Sequence, residues 1–227
     1  MHPPELIIFD CDGVLIDSEV ISARVLIEAL ADVGVPVDMD HVQTHFLGRS
    51  WAKVAAEIRT SHSFLPGADF EEKYRTDLLA HFENELAQTV DIETLLGRLK
   101  TRTCVATSSS PKRTLRSLEL TGLLNHFEGR IFTASEVARG KPAPDLFLHA
   151  AERMCTDPAR CLVIEDSVPG IEAALAAGMP VLRFTGGSHL KGNSERVLTL
   201  GGKVQCFDNW QQFPEMVPLA IRNQADG

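Results

Sequence analysis

Apolar positions along the chain gather into short unbroken runs separated by longer amphipathic stretches. Runs at 6–10 (LIIFD), 103–107 (TCVAT), 130–132 (RIF), 161–164 (CLVI), 180–184 (PVLRF) and 204–207 (VQCF) are too short for helices. Continuous apolar character with β-branched members suits a strand covered on both faces of a parallel sheet. Helical spacing predicts helices over 115–120, 145–153 and 171–177. Gly178 is placed to end the last of these ahead of Met179-Pro180, and Ser110-Pro111 to open the first. Strands alternating with helices predict an α/β fold: a Rossmann-like parallel sheet in a three-layer α/β/α core.

The first half breaks this rhythm. Between positions 18 and 86 the pattern is helical, with no run that reads as a buried strand. Leu26, Ala29, Leu30 and Val33 share one helical face that Gly34 can end, and Phe70, Tyr74, Leu78 and Phe82 follow at four-residue spacing. So long a helical interval is more than one crossover needs. It predicts an inserted all-α cap at 17–87, with the core built from 1–16 and 88–227. A last helix near 210–221 is expected to close one side of the sheet.

Polar clusters stand where the strands end. Asp10-Cys11-Asp12-Gly13 interrupts the first apolar run, Thr107-Ser108-Ser109 follows the second, and Glu165-Asp166-Ser167 ends the fourth; Gly140-Lys141-Pro142-Ala143-Pro144-Asp145 precedes that last one. Each alone has an ordinary explanation. Asp12-Gly13 could be a turn, the serines a helix cap, Lys141 a solvated side chain and Glu165-Asp166 capping carboxylates. A turn, however, leaves Asp10 unexplained, and carboxylates at the end of a buried strand are costly unless something neutralises them. Ligands of open α/β sheets bind at the carboxyl ends of the strands, so the clusters can converge. Acidic side chains, hydroxyls and one lysine together suit Mg²⁺ and a phosphoryl group.

Composition narrows the choice. The 227 residues carry a formal charge of -9, which argues against a nucleic-acid surface. No apolar run is long enough to span a bilayer, and no basic segment precedes the first strand, so neither a membrane partner nor a signal peptide is expected. Five cysteines (Cys11, Cys104, Cys155, Cys161 and Cys206) show no close metal-binding spacing, which fits a reduced, cytoplasmic setting. No exposed apolar stripe argues for an oligomer, and a monomer is expected.

In this order the clusters resemble the four signature motifs of the haloacid dehalogenase-like hydrolase superfamily: DCDGVLIDSE, VATSS, KPAPD and VIEDS. The nearest likeness is to its β-phosphoglucomutase-like phosphatases with a helical cap, and it covers essentially the whole chain. The resemblance implies that Asp10 is a nucleophile forming an aspartyl-phosphate, and that Asp12 is the acid that protonates the leaving alcohol and then the base that activates water. It implies Mg²⁺ held by Asp10, Asp166 and the backbone carbonyl of Asp12, with Glu165 aiding directly or through water. Thr107 and Lys141 would bind phosphoryl oxygens, assisted by backbone N–H groups of Ser108 or Ser109. Ser108 departs from the asparagine that many relatives carry. The stretch His45-Phe46-Leu47-Gly48-Arg49-Ser50 resembles the cap loop that reaches over the site, which makes Gly48 and Arg49 candidates for substrate binding, with Lys53 a lesser one.

The reaction implied is Mg-dependent hydrolysis of a small phosphorylated metabolite, a sugar phosphate or a sugar-acid phosphate such as 6-phosphogluconate. A β-phosphoglucomutase-type phosphomutase is the alternative, but such mutases carry a cap-side histidine where this chain has Ser22. Haloacid dehalogenases lack the second aspartate, so Asp12 argues against that chemistry. A phosphonate hydrolase would need a cap lysine forming a Schiff base, and nothing marks Lys53 for that role. A non-enzymatic binding protein would be expected to have lost a reactive side chain, and none is missing.

Overall fold

A computed structural model describes residues 3–46, 48–191 and 204–221 of the chain. Its centre is Leu6–Phe9 (β1), four side chains buried to the last, which is why the run is apolar on both faces. Around it lie Arg102–Thr107 (β2), Ile131–Thr133 (β3), Cys161–Glu165 (β4), Val181–Phe184 (β5) and Gln205–Phe207 (β6). All pair in parallel, in the order β3-β2-β1-β4-β5-β6. Phe9 lies level with Val105 on one side and Ile164 on the other, which puts the residues following each at the same height.

Alternate side chains of each strand enter two separate cores, as a period of two requires. Ile7, Phe9, Val105 and Ile164 pack with Leu118, Phe127, Trp210 and Phe213; Leu6, Ile8, Cys104 and Val163 pack with Phe147, Ala150, Ile171 and Ala174. Helices Ile92–Arg98 (α5) and Pro111–Leu120 (α6) therefore cover one face, and Asp145–Arg153 (α7) and Val168–Ala176 (α8) the other. Burying each large apolar side chain is worth about 1.5–3 kcal/mol, which drives the three layers together.

Glu19–Asp32 (α1), Met39–His45 (α2), Trp51–His62 (α3) and Ala68–Glu85 (α4) fill the interval between β1 and β2. They share a third core of Leu26, Leu30, Val42, Ile58, Tyr74, Leu78 and Phe82. The chain enters and leaves side by side: the Asp17 N–H donates to Ala87 O at 2.9 Å and the Thr89 N–H to Leu15 O at 3.0 Å.

Several expectations need correction. Val33 does not join the buried face of α1; it caps the helix end and is 43% exposed. The third strand runs one residue later than expected, and Val204 lies outside β6. The expected helix at 210–221 is three pieces: a 3-10 turn at Trp210–Gln212, one helical turn at Phe213–Met216 and a 3-10 turn at Pro218–Ala220. Pro218 supplies no N–H and forces Val217 out of helical backbone, to φ -133 and ψ 60. The segment still closes the sheet, through buried Trp210, Phe213 and Val217. No helix among the described residues is long and apolar enough to cross a membrane.

Candidate active site

The carboxyl ends of β1, β2 and β4 converge as the sequence predicts. Asp10 follows β1 directly, and its N–H is held by Ile164 O at 2.9 Å. Lys141 is only 2% exposed, far from the solvated side chain that its loop alone would suggest. Its Nζ donates to Asp10 Oδ1 at 2.6 Å, Glu165 Oε1 at 2.7 Å and Ala106 O at 3.0 Å, and lies 4.9 Å from the Phe147 ring centroid. All three ammonium protons thus have acceptors, as burial of the charge demands. Glu165 Oε2 accepts from the Asp166 N–H, the Ser167 N–H and the Ser167 hydroxyl, each at 2.9 Å. Helix α8 comes so close that a Cβ on Gly170 would sit 1.7 Å from Glu165 Oε1, so only glycine fits there.

Carboxylate oxygens of Asp10, Glu165 and Asp166 can all lie within 4.8 Å of one another. Burial drives the pKa of Asp10 well up, against the pull of Lys141, and burial with the Glu165 charge does the same to Asp166. For Lys141, burial disfavours the charge, but Asp10 and Glu165 outweigh it and keep the ammonium protonated. Three acidic groups against one lysine leave excess negative charge in a buried place. A cluster of hard oxygen donors in that condition fits a divalent cation of the Mg²⁺ kind. Glu165 belongs to the group, but both its oxygens already accept hydrogen bonds, which leaves Asp10 and Asp166 the better ligands.

Asp12 faces a different set of partners. Its Oδ1 accepts from Ser18 Oγ at 2.5 Å and Arg113 Nη2 at 2.6 Å, and its Oδ2 from Ser109 Oγ at 2.6 Å. Burial alone would raise its pKa; the Arg113 charge and the bonds from Ser109 and Ser18 win and hold it below the usual range. Asp10 and Asp12, two positions apart, are thus driven in opposite directions, Asp10 toward its protonated form and Asp12 toward its carboxylate, and a cation beside Asp10 would return that group to the carboxylate. The serine loop is spent on organisation: the Ser109 N–H donates to Thr107 Oγ1 at 3.1 Å, and Ser108 Oγ reaches Gly48 O at 3.5 Å.

Above this floor opens a cavity of about 430 Å³ between the sheet ends and the α1–α4 helices, with Asp10, Asp12, Thr107, Ser108, Ser109 and Arg49 on its walls. Gly48 explains how the loop approaches. Its φ is +71, and a Cβ would stand 2.7 Å from Ser167 Cβ, so the loop rests against the β4 end only because the residue is glycine. Leu47, in the same loop, lies outside the described residues. Lys53 is not turned to substrate: its Nζ bonds the carbonyls of Gly140 and Lys141, bracing the loop that holds Lys141.

Sequence reasoning missed three ionisable groups here, Glu19 and His189 buried and Arg113 half-buried. Arg113 lies three residues into a run read as a helix start. Glu19, its pKa pushed up to about 8 by burial and the Asp12 charge, ends the DCDGVLIDSE motif but was given no role there. His189 Nε2 lies 2.9 Å from Asp166 Oδ2, while the neighbouring Ser188 hydroxyl donates to Asp17 Oδ1 at 2.8 Å. The cue available for Glu19 was its place beside Ser18; for Arg113 and His189 the contacts span too much sequence for any local cue.

Known proteins resemble this chain in sequence and fold. The profile of the haloacid dehalogenase-like hydrolases matches residues 4–178. A 6-phosphogluconate phosphatase of Escherichia coli K12 is 29% identical over 213 residues, 93% of this chain and 94% of its own length. The crystal structure of a conserved haloacid dehalogenase-like protein from Agrobacterium tumefaciens superposes with a TM-score of 0.78 at 34% identity, covering 94% of this chain and 97% of that one. A family hydrolase of Deinococcus radiodurans, crystallised with bound phosphate and sodium, gives 0.71 at 29% identity, with 97% and 99% covered. With its fold, its strand-end clusters and these matches in agreement, the chain belongs to the haloacid dehalogenase-like hydrolase family.

Proposed function

We propose that the protein hydrolyses a small phosphorylated metabolite, a sugar phosphate or sugar-acid phosphate such as 6-phosphogluconate, with Mg²⁺ as cofactor and an aspartyl-phosphate on Asp10. The observation that carries this is the contrast between Asp10 and Asp12. One sits with Lys141 in the acidic cluster; the other is held apart by Arg113, Ser18 and Ser109. The E. coli relative's activity and the phosphate bound in the Deinococcus structure support the substrate class.

The enzyme is a phosphoric monoester hydrolase, and its own residues divide the work. Asp10 attacks phosphorus, Lys141 neutralises the charge on Asp10 and the phosphoryl oxygens, and the Thr107 hydroxyl and the Ser108 backbone orient them. Asp12 gives its proton to the leaving oxygen and then takes one from water. Asp10 and Asp166, with the backbone carbonyl of Asp12 and with Glu165 behind them, would hold Mg²⁺. When bound, Mg²⁺ supplies positive charge against the phosphoryl oxygens. Residues 17–87 act as a cap that excludes water, and Arg49, which lines the cavity with Gly48, would meet a second anionic group on the substrate.

The test is phosphate release from a panel of sugar phosphates with and without Mg²⁺, for wild type and Asp10→Asn. Mg²⁺-dependent release that disappears in Asp10→Asn supports the reading. Glucose 6-phosphate accumulating from β-glucose 1-phosphate without free phosphate would make the protein a mutase.

A further inference from the structure

Arg113 belongs to none of the four motifs, yet it ties together three parts of the molecule. It is the third residue of α6 on the sheet core. Its guanidinium carbon lies 5.3 Å from the Phe82 ring centroid on α4, and its Nη2 reaches Ser22 Oγ on α1 at 3.0 Å and Asp12 Oδ1 at 2.6 Å. Ser22 is itself anchored, donating to Ser18 O at 2.8 Å. The Arg113 and Asp12 side chains are only 19% and 11% exposed, so this is a charged pair that packing fixes and solvent screens little.

The donors are unevenly shared between the two carboxyl oxygens. Oδ1 receives Ser18 and Arg113, whereas Oδ2 receives Ser109 alone. A serine hydroxyl can turn round and accept a hydrogen bond, but a guanidinium has no acceptor. A proton on Oδ1 could turn only to Ser18, and it would leave the guanidinium facing a hydroxyl oxygen, a poorer acceptor than the carbonyl oxygen it faces when the proton is on Oδ2. A proton on Oδ2 leaves every partner satisfied.

We propose that Arg113 is a positioning residue for Asp12: it reserves Oδ2 as the proton-bearing oxygen and stabilises the carboxylate formed when that proton leaves. This rests on the phosphatase reading above. In the first step Asp10 bonds to phosphorus, and the bond from phosphorus to the ester oxygen breaks with its electron pair. The ester oxygen takes the Oδ2 proton, giving the alcohol, the aspartyl-phosphate and an Asp12 carboxylate. In the second step water bonds to phosphorus while Asp12 takes its proton. The bond between phosphorus and Asp10 breaks, returning free carboxylate, inorganic phosphate and protonated Asp12. Arg113 faces the Asp12 carboxylate between the two steps.

Leaving-group dependence separates this role from a structural one. A sugar alkoxide needs the proton to depart; p-nitrophenolate does not. The experiment measures kcat/KM, which reports steps up to phosphoenzyme formation, for wild type, Arg113→Met and Arg113→Lys on p-nitrophenyl phosphate and on the best neutral sugar phosphate of the panel. Misplacing or weakening a general acid costs about 100-fold or more, so Arg113→Met should fall by that factor on the sugar phosphate and by less than about fivefold on the aryl ester. Arg113→Lys keeps the charge in a different geometry and should show the same selectivity at about a tenth of the size. If Arg113→Met does not fold, the lysine variant decides alone. Equal losses on both esters, no selectivity in the lysine variant, or a loss confined to substrates with a second anionic group would each overturn the proposal. A wild type inactive on both esters would instead sink the phosphatase reading.

Discussion

Lys141 is the group whose removal the structure judges most severely. Its ammonium touches Asp10 at 2.6 Å and Glu165 at 2.7 Å, and all three side chains are buried. Lys141→Met keeps most of the volume and the contact with Phe147, so the loss is electrostatic rather than a cavity. Breaking one side of a buried ion pair costs about 3–5 kcal/mol, because the remaining carboxylates are left uncompensated. The protein can reduce that cost by protonating them. In the variant their folded pKa values lie above the unfolded ones, so the folded state binds more protons and its stability falls as pH rises. The deficit should therefore be largest at pH 8 and shrink by about 1.4 kcal/mol for each pH unit lowered, disappearing in large part by pH 5. Urea denaturation followed by circular dichroism, with EDTA present and at both pH values, measures it. A deficit at pH 8 below about 1 kcal/mol, or one independent of pH, would refute the assignment of Lys141 as the counter-charge.

Glu19 gives a second pH signature. Its folded pKa of about 8 lies above the ordinary value, so the stability its neutral form contributes is complete below pH about 4.5 and is lost as pH rises to 8. Glu19→Gln should thus be neutral at pH 4.5 and stabilising by about 1–3 kcal/mol at pH 8, as read by urea titration without metal. Gly48→Ala forces a side chain onto positive φ and into Ser167, and should lower kcat/KM at least tenfold while a melting scan shows a loss of about 1–2 kcal/mol. Mg²⁺ at about a hundredfold excess over its dissociation constant should stabilise the wild type by about 2.7 kcal/mol in a melting series, and Asp166→Asn should cut that gain by more than half. An unchanged gain in Asp166→Asn would remove Asp166 from the ligand set.

The core of this fold was legible because its strands are covered on both faces, which makes 6–9 and 161–164 apolar throughout and leaves 103–107 polar only at its two threonines. The strand-end carboxylates and Lys141 were legible as a set, since the sheet brings strand ends together whatever the intervening length. Val33 was misread because apolar spacing continues past the turn where α1 stops needing a buried face. The C-terminal helix was misread because apolar spacing across 210–221 outweighed Pro214 and Pro218. Arg113 was illegible for a different reason. In sequence a basic residue early in a helix is an ordinary solvated side chain, and only the tertiary fold puts Asp12, 101 residues away, beside it. Glu19 and His189 share that limit: their chemistry comes from neighbours, not from spacing.

The central place of β1 has a consequence for biosynthesis. It leaves the ribosome before the other five strands of this sheet, yet one of its two edges is filled only by β4, which begins at Cys161. N-terminal segments ordinarily fold first during synthesis. Here a nascent chain ending before residue 161 can at most assemble β3-β2-β1, with the other edge of β1 open. Glu165 and Asp166 arrive with the strand that closes that edge, so a ribosome-bound fragment lacks two of the three clustered carboxylates. Competence should switch on late and abruptly along the chain, and premature termination should yield an aggregation-prone sheet rather than a slow enzyme.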